Sequence, residues 1–157
     1  MDNKYINIYN NLVNLTRNKE LYKNFNTQDT FPDRLIFFLL HFAFFLKVFK
    51  KNNKKNLLQD IYDAIFKYLE LSIREMGHGD VTINKKMKNY LNTFHLILDQ
   101  ISNWENESDS SKSKILSNFL DIGKKTSNLI IYFDNYLINL SNNTLNFYIK
   151  GVVKDKF

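Results

Sequence analysis

The sequence predicts an all-α fold: a single compact helical domain of roughly five to six helices with no sheet. Three observations point there. One proline and four glycines are the only strong breakers in 157 residues. Apolar residues recur three and four positions apart over long stretches, the spacing that lines one face of a helix. No segment alternates apolar and polar residues with period two for long enough to make a strand. The length suits one domain, residues 1–157, and 44% hydrophobic with 15% aromatic residues is enough to close a core.

The first helix is expected over Tyr5 to Phe25, with Tyr5, Tyr9, Leu12, Val13, Leu21 and Phe25 turned inward. Asn26 to Thr30 then connect, Asp29 or Thr30 caps the next helix, and Pro32 falls in its first turn, where a missing N–H costs nothing. That second helix, Phe31 to Lys51, is apolar nearly all round. Its run "LIFFLLHFAFFL", Leu35 to Leu46, spans about 18 Å at ~1.5 Å per residue, against ~30 Å of hydrocarbon. It is too short to cross a bilayer and reads as a central helix wrapped by others. Its surplus of Phe serves core packing first, with an apolar client groove as the other use.

"KKNNKKN" breaks the chain, and Asn56 is the expected cap of a third helix over Leu57 to Met76. Leu58, Ile61, Ile65, Leu69, Ser72, Ile73 and Met76 form its inner stripe. Asp63 with Lys67 and Glu70 with Arg74 are acid-before-base pairs one turn apart on the other side. A fourth helix, Ile83 to Asn103, carries Ile83, Met87, Tyr90, Leu91, Phe94, Leu98 and Ile101 inward. "NWENESDSSKSK" reads as a polar loop. Asp109 or a neighbouring serine then caps a long helical stretch to Leu140, which Gly123 splits in two.

Between the third and fourth helices stands "REMGHGD", with two of the four glycines one residue apart. Gly77 follows Met76 where a helix stops with one residue in the left-handed conformation, which costs a residue with a Cβ about 1–2 kcal/mol. Gly79 is expected to help the chain reverse. Asp80 or Thr82 can accept from the free N–H groups opening the fourth helix. Arg74 can reach a terminal carbonyl or the Asp80 carboxylate.

As chemistry the same residues are poorly equipped. Glu75 and His78 make the Glu-x-x-His spacing of di-iron bundles, but such sites need a second copy, further carboxylates and an unbroken helix. Gly77 interrupts the helix between them, and neither His41 nor His95 has a Glu three residues before it. A phosphate-cradling loop needs more glycines and a preceding strand. His41, inside the apolar second helix, reads as a core histidine bonded to a carbonyl; His95 reads as a helix-edge residue meeting water. Without cysteine there are no disulfides, thiolate metal sites or thiol nucleophiles. No catalytic residue, metal site or cofactor is expected, and the protein is read as a non-enzyme.

Charge is more informative. The net charge is +6 and the pI near 9.3. Lys47, Lys50, Lys51, Lys54 and Lys55 stand within nine residues free of acid, and Lys85, Lys86 and Lys88 form a second cluster. Such patches attract polyanions or anionic lipid head groups; the plain alternative is a solvated rim. The N-terminal stretch "MDNKYINIYNN" carries neither a secretory nor an organelle signal, so a cytoplasmic location is expected, extending to the periphery of an inner membrane.

The segment "LLQDIYDAIFKYLELSIREMGHGDVTINKKMKNYLNTFH" resembles the signature of the ubiquinol–cytochrome c chaperone family. The matching positions are Gln59, Tyr62, Asp63, Glu70, Arg74, Glu75, Met76, Gly77, Gly79, Asp80, Lys85, Lys86 and Phe94. Upstream, "QDTFPDRLIFFLLH" is similar to the family's Asp-Thr, Arg and Leu-His elements at Asp29, Thr30, Arg34, Leu40 and His41. The likeness runs from about Leu21 to Leu98; Tyr68, His78 and Gln28 depart from the pattern.

The resemblance implies a helical, non-enzymatic assembly factor for respiratory complex III. Its implied partners are newly made cytochrome b, the ribosome and a small partner protein. Asp29, Arg34, His41, Asp63, Arg74, Glu75 and Asp80 are then the polar framework and partner-binding candidates. The two lysine clusters are candidates for ribosomal RNA phosphates or an anionic membrane surface. The rival expectation is a peripheral membrane- or RNA-binding helical module unrelated to respiration.

Overall fold

A computed structural model describes residues 3–23, 25, 31–122 and 126–151. Among the described residues the chain forms seven α-helices and no strand: α1 (Ile6–Thr16), α2 (Phe31–Phe49), α3 (Lys55–Glu75), α4 (Asp80–Ile101), α5 (Asp109–Phe119), α6 (Ser127–Ser141) and α7 (Leu145–Ile149). Single turns of 3-10 helix cover Lys19–Tyr22 and Trp104–Asn106.

The hub is α2. Leu35, every residue from Phe37 to Phe45, and Phe49 are buried. Helices α1, α4 and α6 pack around it, while α3 lies on α1 and α4, α5 on α6, and α7 on α1. The all-round apolar character of α2 thus has its physical counterpart in neighbours on every side. Rings interlock rather than merely touch: Phe42 stacks on Phe94 of α4 at 5.3 Å, and Phe44 on Phe133 of α6 at 5.0 Å. Because those rings are enclosed, α2 offers no Phe-lined groove to a client, and the core-packing use is the one the fold makes of them.

Several boundaries differ from the sequence expectation. The first helix ends at Thr16, not Phe25. Residues 17–20 read Arg-Asn-Lys-Glu and supply no apolar face, and the Asn18 side chain accepts from the Glu20 N–H at 3.1 Å, starting a separate turn. Helix α3 starts at Lys55, which places Asn56 inside the helix; Lys54 holds the extended N-cap position with no side-chain bond. Met76 lies past the end of α3 and is 54% exposed, so it leaves the inner stripe, whereas Ile97 joins that of α4.

The C-terminal half holds the larger surprises. Trp104, set within the polar stretch after α4, is fully buried. Ser108 caps α5 by accepting from the Ser111 N–H at 3.1 Å. Gly123 and its expected break lie outside the described residues, as do Asp29 and Thr30 with their capping role. A further helix, α7, follows the expected end at Leu140, opened by Thr144, which accepts from the Phe147 N–H at 3.2 Å. It is tied to α1 by Asn7, whose side-chain amide donates to the Ile149 carbonyl at 3.1 Å. Gly151 closes this joint at φ +75°, where a Cβ would stand 2.7 Å from the Asn7 side chain.

Candidate functional site

The corner between α3 and α4 is built as a joint. The Gly77 N–H donates to the Arg74 carbonyl at 3.0 Å, and Gly77 takes φ +92°, the left-handed conformation that lets α3 stop. Gly79, by contrast, has φ −76° and ψ 162°, ordinary extended backbone, with open space where a Cβ would be. Only the first glycine is required by the backbone. Neither Asp80 nor Thr82 caps α4: the helix begins at Asp80 behind Gly79, with no side-chain cap bond. Instead Arg74 bonds the Asp80 carboxylate and also reaches Glu70 at 3.6 Å. The Asp80 hydrogen bond is the largest of the influences holding the guanidinium proton tighter than usual.

Around this joint Arg74, Glu75 and Asp80 are exposed, His78 is half-buried, and the apolar Met76 and Val81 are 54% and 85% exposed. Among the described residues no group of three or more His, Asp or Glu side chains gathers as a metal site. Arg34 lies exposed in the first turn of α2, and exposed Asp63 accepts from Gln59 at 2.9 Å instead of pairing with Lys67.

His41 belongs to the core. Its ring is fully enclosed, with Nδ1 2.6 Å from the Phe37 carbonyl and Nε2 2.6 Å from the Tyr132 hydroxyl. A carbonyl only accepts, so Nδ1 carries the proton and Tyr132 donates to Nε2. Burial is the main cause that lowers its pKa to about 4, the Phe37 carbonyl pulling weakly the other way. The ring is neutral at physiological pH and is a framework group enclosed away from any partner surface.

The lysine clusters separate into different kinds of residue. Lys47 is not a free surface cation: its side chain is 12% exposed, donates to the Ser102 carbonyl at 2.6 Å and meets Glu105 at 3.1 Å. It ties the end of α2 to the turn after α4. Lys50, Lys51, Lys54 and Lys55 are exposed, as are Lys85 and Lys88, with Lys86 half-buried along α4.

Lys50, Lys51 and Lys55 stand over a cleft of about 1000 Å³ between the end of α2, the start of α3 and the last turns of α4. Its apolar wall comes from Leu46, Leu58, Tyr62 and Leu98. A hydrogen bond of 3.1 Å joins the Tyr62 hydroxyl and His95 Nε2 on that wall. Burial raises the Tyr62 pKa, with Asp63 adding to the effect, so the phenol stays neutral. His95, though exposed to water as expected, is thus also fixed across the cleft.

Sequence reasoning found the lysines but missed the wall. The signal was present: Leu58 and Tyr62 lie one turn apart on α3, and His95 and Leu98 three apart on α4, facing pairs that become a cleft only when the two helices are laid side by side.

Among the described residues no helix is long and apolar enough to cross a membrane. Comparison with curated proteins and with solved structures finds no match. A family model does match, that of the ubiquinol-cytochrome C chaperone, over residues 23–120. This takes in the second through fifth helices with the glycine corner, and it runs past Leu98, where the resemblance read from individual motifs fades. Covering more than half of the sequence, the match places this chain in the ubiquinol-cytochrome C chaperone family.

Proposed function

We propose that the protein is a non-enzymatic assembly chaperone for ubiquinol–cytochrome c reductase, respiratory complex III, and that it works by binding newly made cytochrome b. The family match over residues 23–120 is the observation that carries this reading. The fold is compatible with it: Arg74 and Asp80 of the motif pair across a structural joint, and apolar side chains stay exposed at Met76, Val81, Leu96, Ile131 and Ile138, where a client could be held. The exposed lysines of the α2–α3 turn and of α4 are the proposed contacts for ribosomal RNA phosphates or an anionic membrane surface, and a small partner protein would share the exposed apolar positions.

Deleting the gene tests the reading. Cytochrome b and complex III should disappear while other respiratory complexes persist; retention of complex III at its normal level would sink the proposal. The lysine clusters also favour a second reading, a peripheral membrane or RNA binder unrelated to respiration. That reading predicts unchanged complex III in the deletion strain together with salt-sensitive binding to ribosomes or anionic vesicles.

A further inference from the structure

The cleft beneath Lys50, Lys51 and Lys55 has a composition that selects its occupant. Its volume of about 1000 Å³ stands at the upper end of small-molecule sites. Thirteen residues line it, whereas a stable protein interface engages roughly 20–30 residues a side. The concavity is thus ligand-sized rather than the seat of a protein surface.

Cationic and apolar side chains both line it. The three lysines come from the α2–α3 turn and the first residue of α3, and among the described residues none of them has an ion-pair partner. Asp99 is the one acid among the lining residues, and the fourth lining lysine, Lys47, is held by Glu105 and the Ser102 carbonyl. Helix α3 opens at the same place with no acid in its first turn and no side chain on its free N–H groups. A helix of 21 residues presents the positive end of its dipole there, and that end remains without a counter-charge. From Lys55 the cleft continues seven residues along α3 to Tyr62, about 10 Å of helix rise. Over that length Leu46, Leu58 and Leu98 provide the apolar wall.

A cationic mouth leading to an apolar trough calls for an amphiphile with one anionic head. We infer that the cleft binds a single anionic phospholipid. Its phosphate is seated by Lys50, Lys51, Lys55 and the start of α3, and an acyl chain runs along Leu58 and Leu98 towards Tyr62. This deepens the membrane contact of the function proposed above and rests on that contact, but not on the identity of the client. Bound lipid would hold a protein without a membrane-spanning helix among its described residues at a lipid surface, in one orientation.

The test uses the full chain and a soluble short-chain lipid. Dihexanoyl phosphatidylglycerol is titrated into the protein below its micellar concentration and followed by calorimetry and by backbone amide NMR shifts. Dihexanoyl phosphatidylcholine and inorganic phosphate serve as comparisons. The expected result is one phosphatidylglycerol per chain, shifts centred on Leu58, Tyr62 and Leu98, and little binding of the other two. Replacing Lys50, Lys51 and Lys55 together by Ala should weaken binding by at least about tenfold, while Lys19→Ala with Lys114→Ala, exposed lysines outside the cleft, should leave it unchanged. These lysines are exposed, so the fold survives their removal.

Inorganic phosphate binding as tightly as the lipid, equal binding of phosphatidylcholine, or an equal loss in the Lys19/Lys114 variant would each overturn the inference. So would saturable binding of an acidic amphipathic peptide in the cleft without lipid uptake, which would reassign it to a protein. Complex III assembly in the deletion strain is read separately, so a failed lipid site and a failed chaperone role are distinguishable.

Discussion

Arg74 in the last turn of α3 bonds the carboxylate of Asp80, the first residue of α4, across a corner in which only Gly77 has a left-handed backbone. The ion pair sets how the two longest helices meet, while Gly77 makes the reversal possible. Both Arg74 and Asp80 are exposed, so their pair steers geometry more than it stabilises the fold.

The two glycines of the corner should therefore respond differently. Gly77→Val puts a β-branched residue at φ +92° and should cost about 1–3 kcal/mol. At about 2–4 °C per kcal/mol for a chain of this size, the melting temperature falls by several degrees. Gly79→Ala sits in ordinary extended backbone with free space around the new methyl and should stay within about 0.5 kcal/mol of the parent. Thermal denaturation followed by circular dichroism reads both, and equal losses in the two variants would contradict the assignment.

His41 should make stability fall on mild acidification. Its pKa is lowered in the fold from 6.5 to about 4. The unfolded chain therefore binds a proton more readily than the folded one between those values. The stability that neutral His41 permits is fully present above pH 6.5 and is lost as pH falls towards 4, a total of about 3 kcal/mol. Urea unfolding at several pH values between 7 and 4.5 measures the slope. His41→Gln should be less stable at pH 7 and show a flatter slope. Tyr132→Phe removes the donor to Nε2 and should cost about 1–2 kcal/mol at neutral pH. A parent protein whose stability stays flat over that range would refute the enclosed neutral ring.

Much of this arrangement was legible in the sequence because it follows from local periodicity. The unbroken apolar run of α2 announced a central helix, the position of His41 within it announced a core histidine, and Gly77 after Met76 announced a helix end. What stayed hidden depends on long-range pairing. Trp104 sits in a stretch of Asn, Glu and Ser that reads as loop, and its burial comes from packing on Phe44 of α2 with α5 and α6 closing over it. Helix α7 is five residues long, below what periodicity can register, and it is held by Asn7 from the other end of the chain. The cleft belongs to the same class. Its lysines are a visible run, but its wall is drawn from three helices, and the sequence gives no sign that Lys47, alone of that run, is tied down.

Asp134 of α6 offers the sharpest test of how the C-terminal half is held. One of its carboxylate oxygens accepts from the Trp104 indole N–H at 2.8 Å and from Lys112 of α5 at 3.1 Å. The Lys112 ammonium also lies 5.3 Å from the centre of the Trp104 ring. One oxygen thus joins α5, α6 and the turn after α4. Trp104 is fully buried and the Lys112 side chain is 10% exposed, whereas that of Asp134 is 38% exposed, so water softens the ion pair. Asp134→Ala strands a buried N–H and a largely enclosed ammonium together and should cost about 2–3 kcal/mol. Asp134→Asn keeps an acceptor for the indole and loses only the charge, so it should cost about half as much. Chemical denaturation gives the two losses, and the shift of the tryptophan emission reports solvent reaching the indole, since Trp104 is the protein's one tryptophan. Equal effects of Ala and Asn would show that charge alone matters there, and no effect of either would show that α5 and α6 are held by apolar packing without this oxygen.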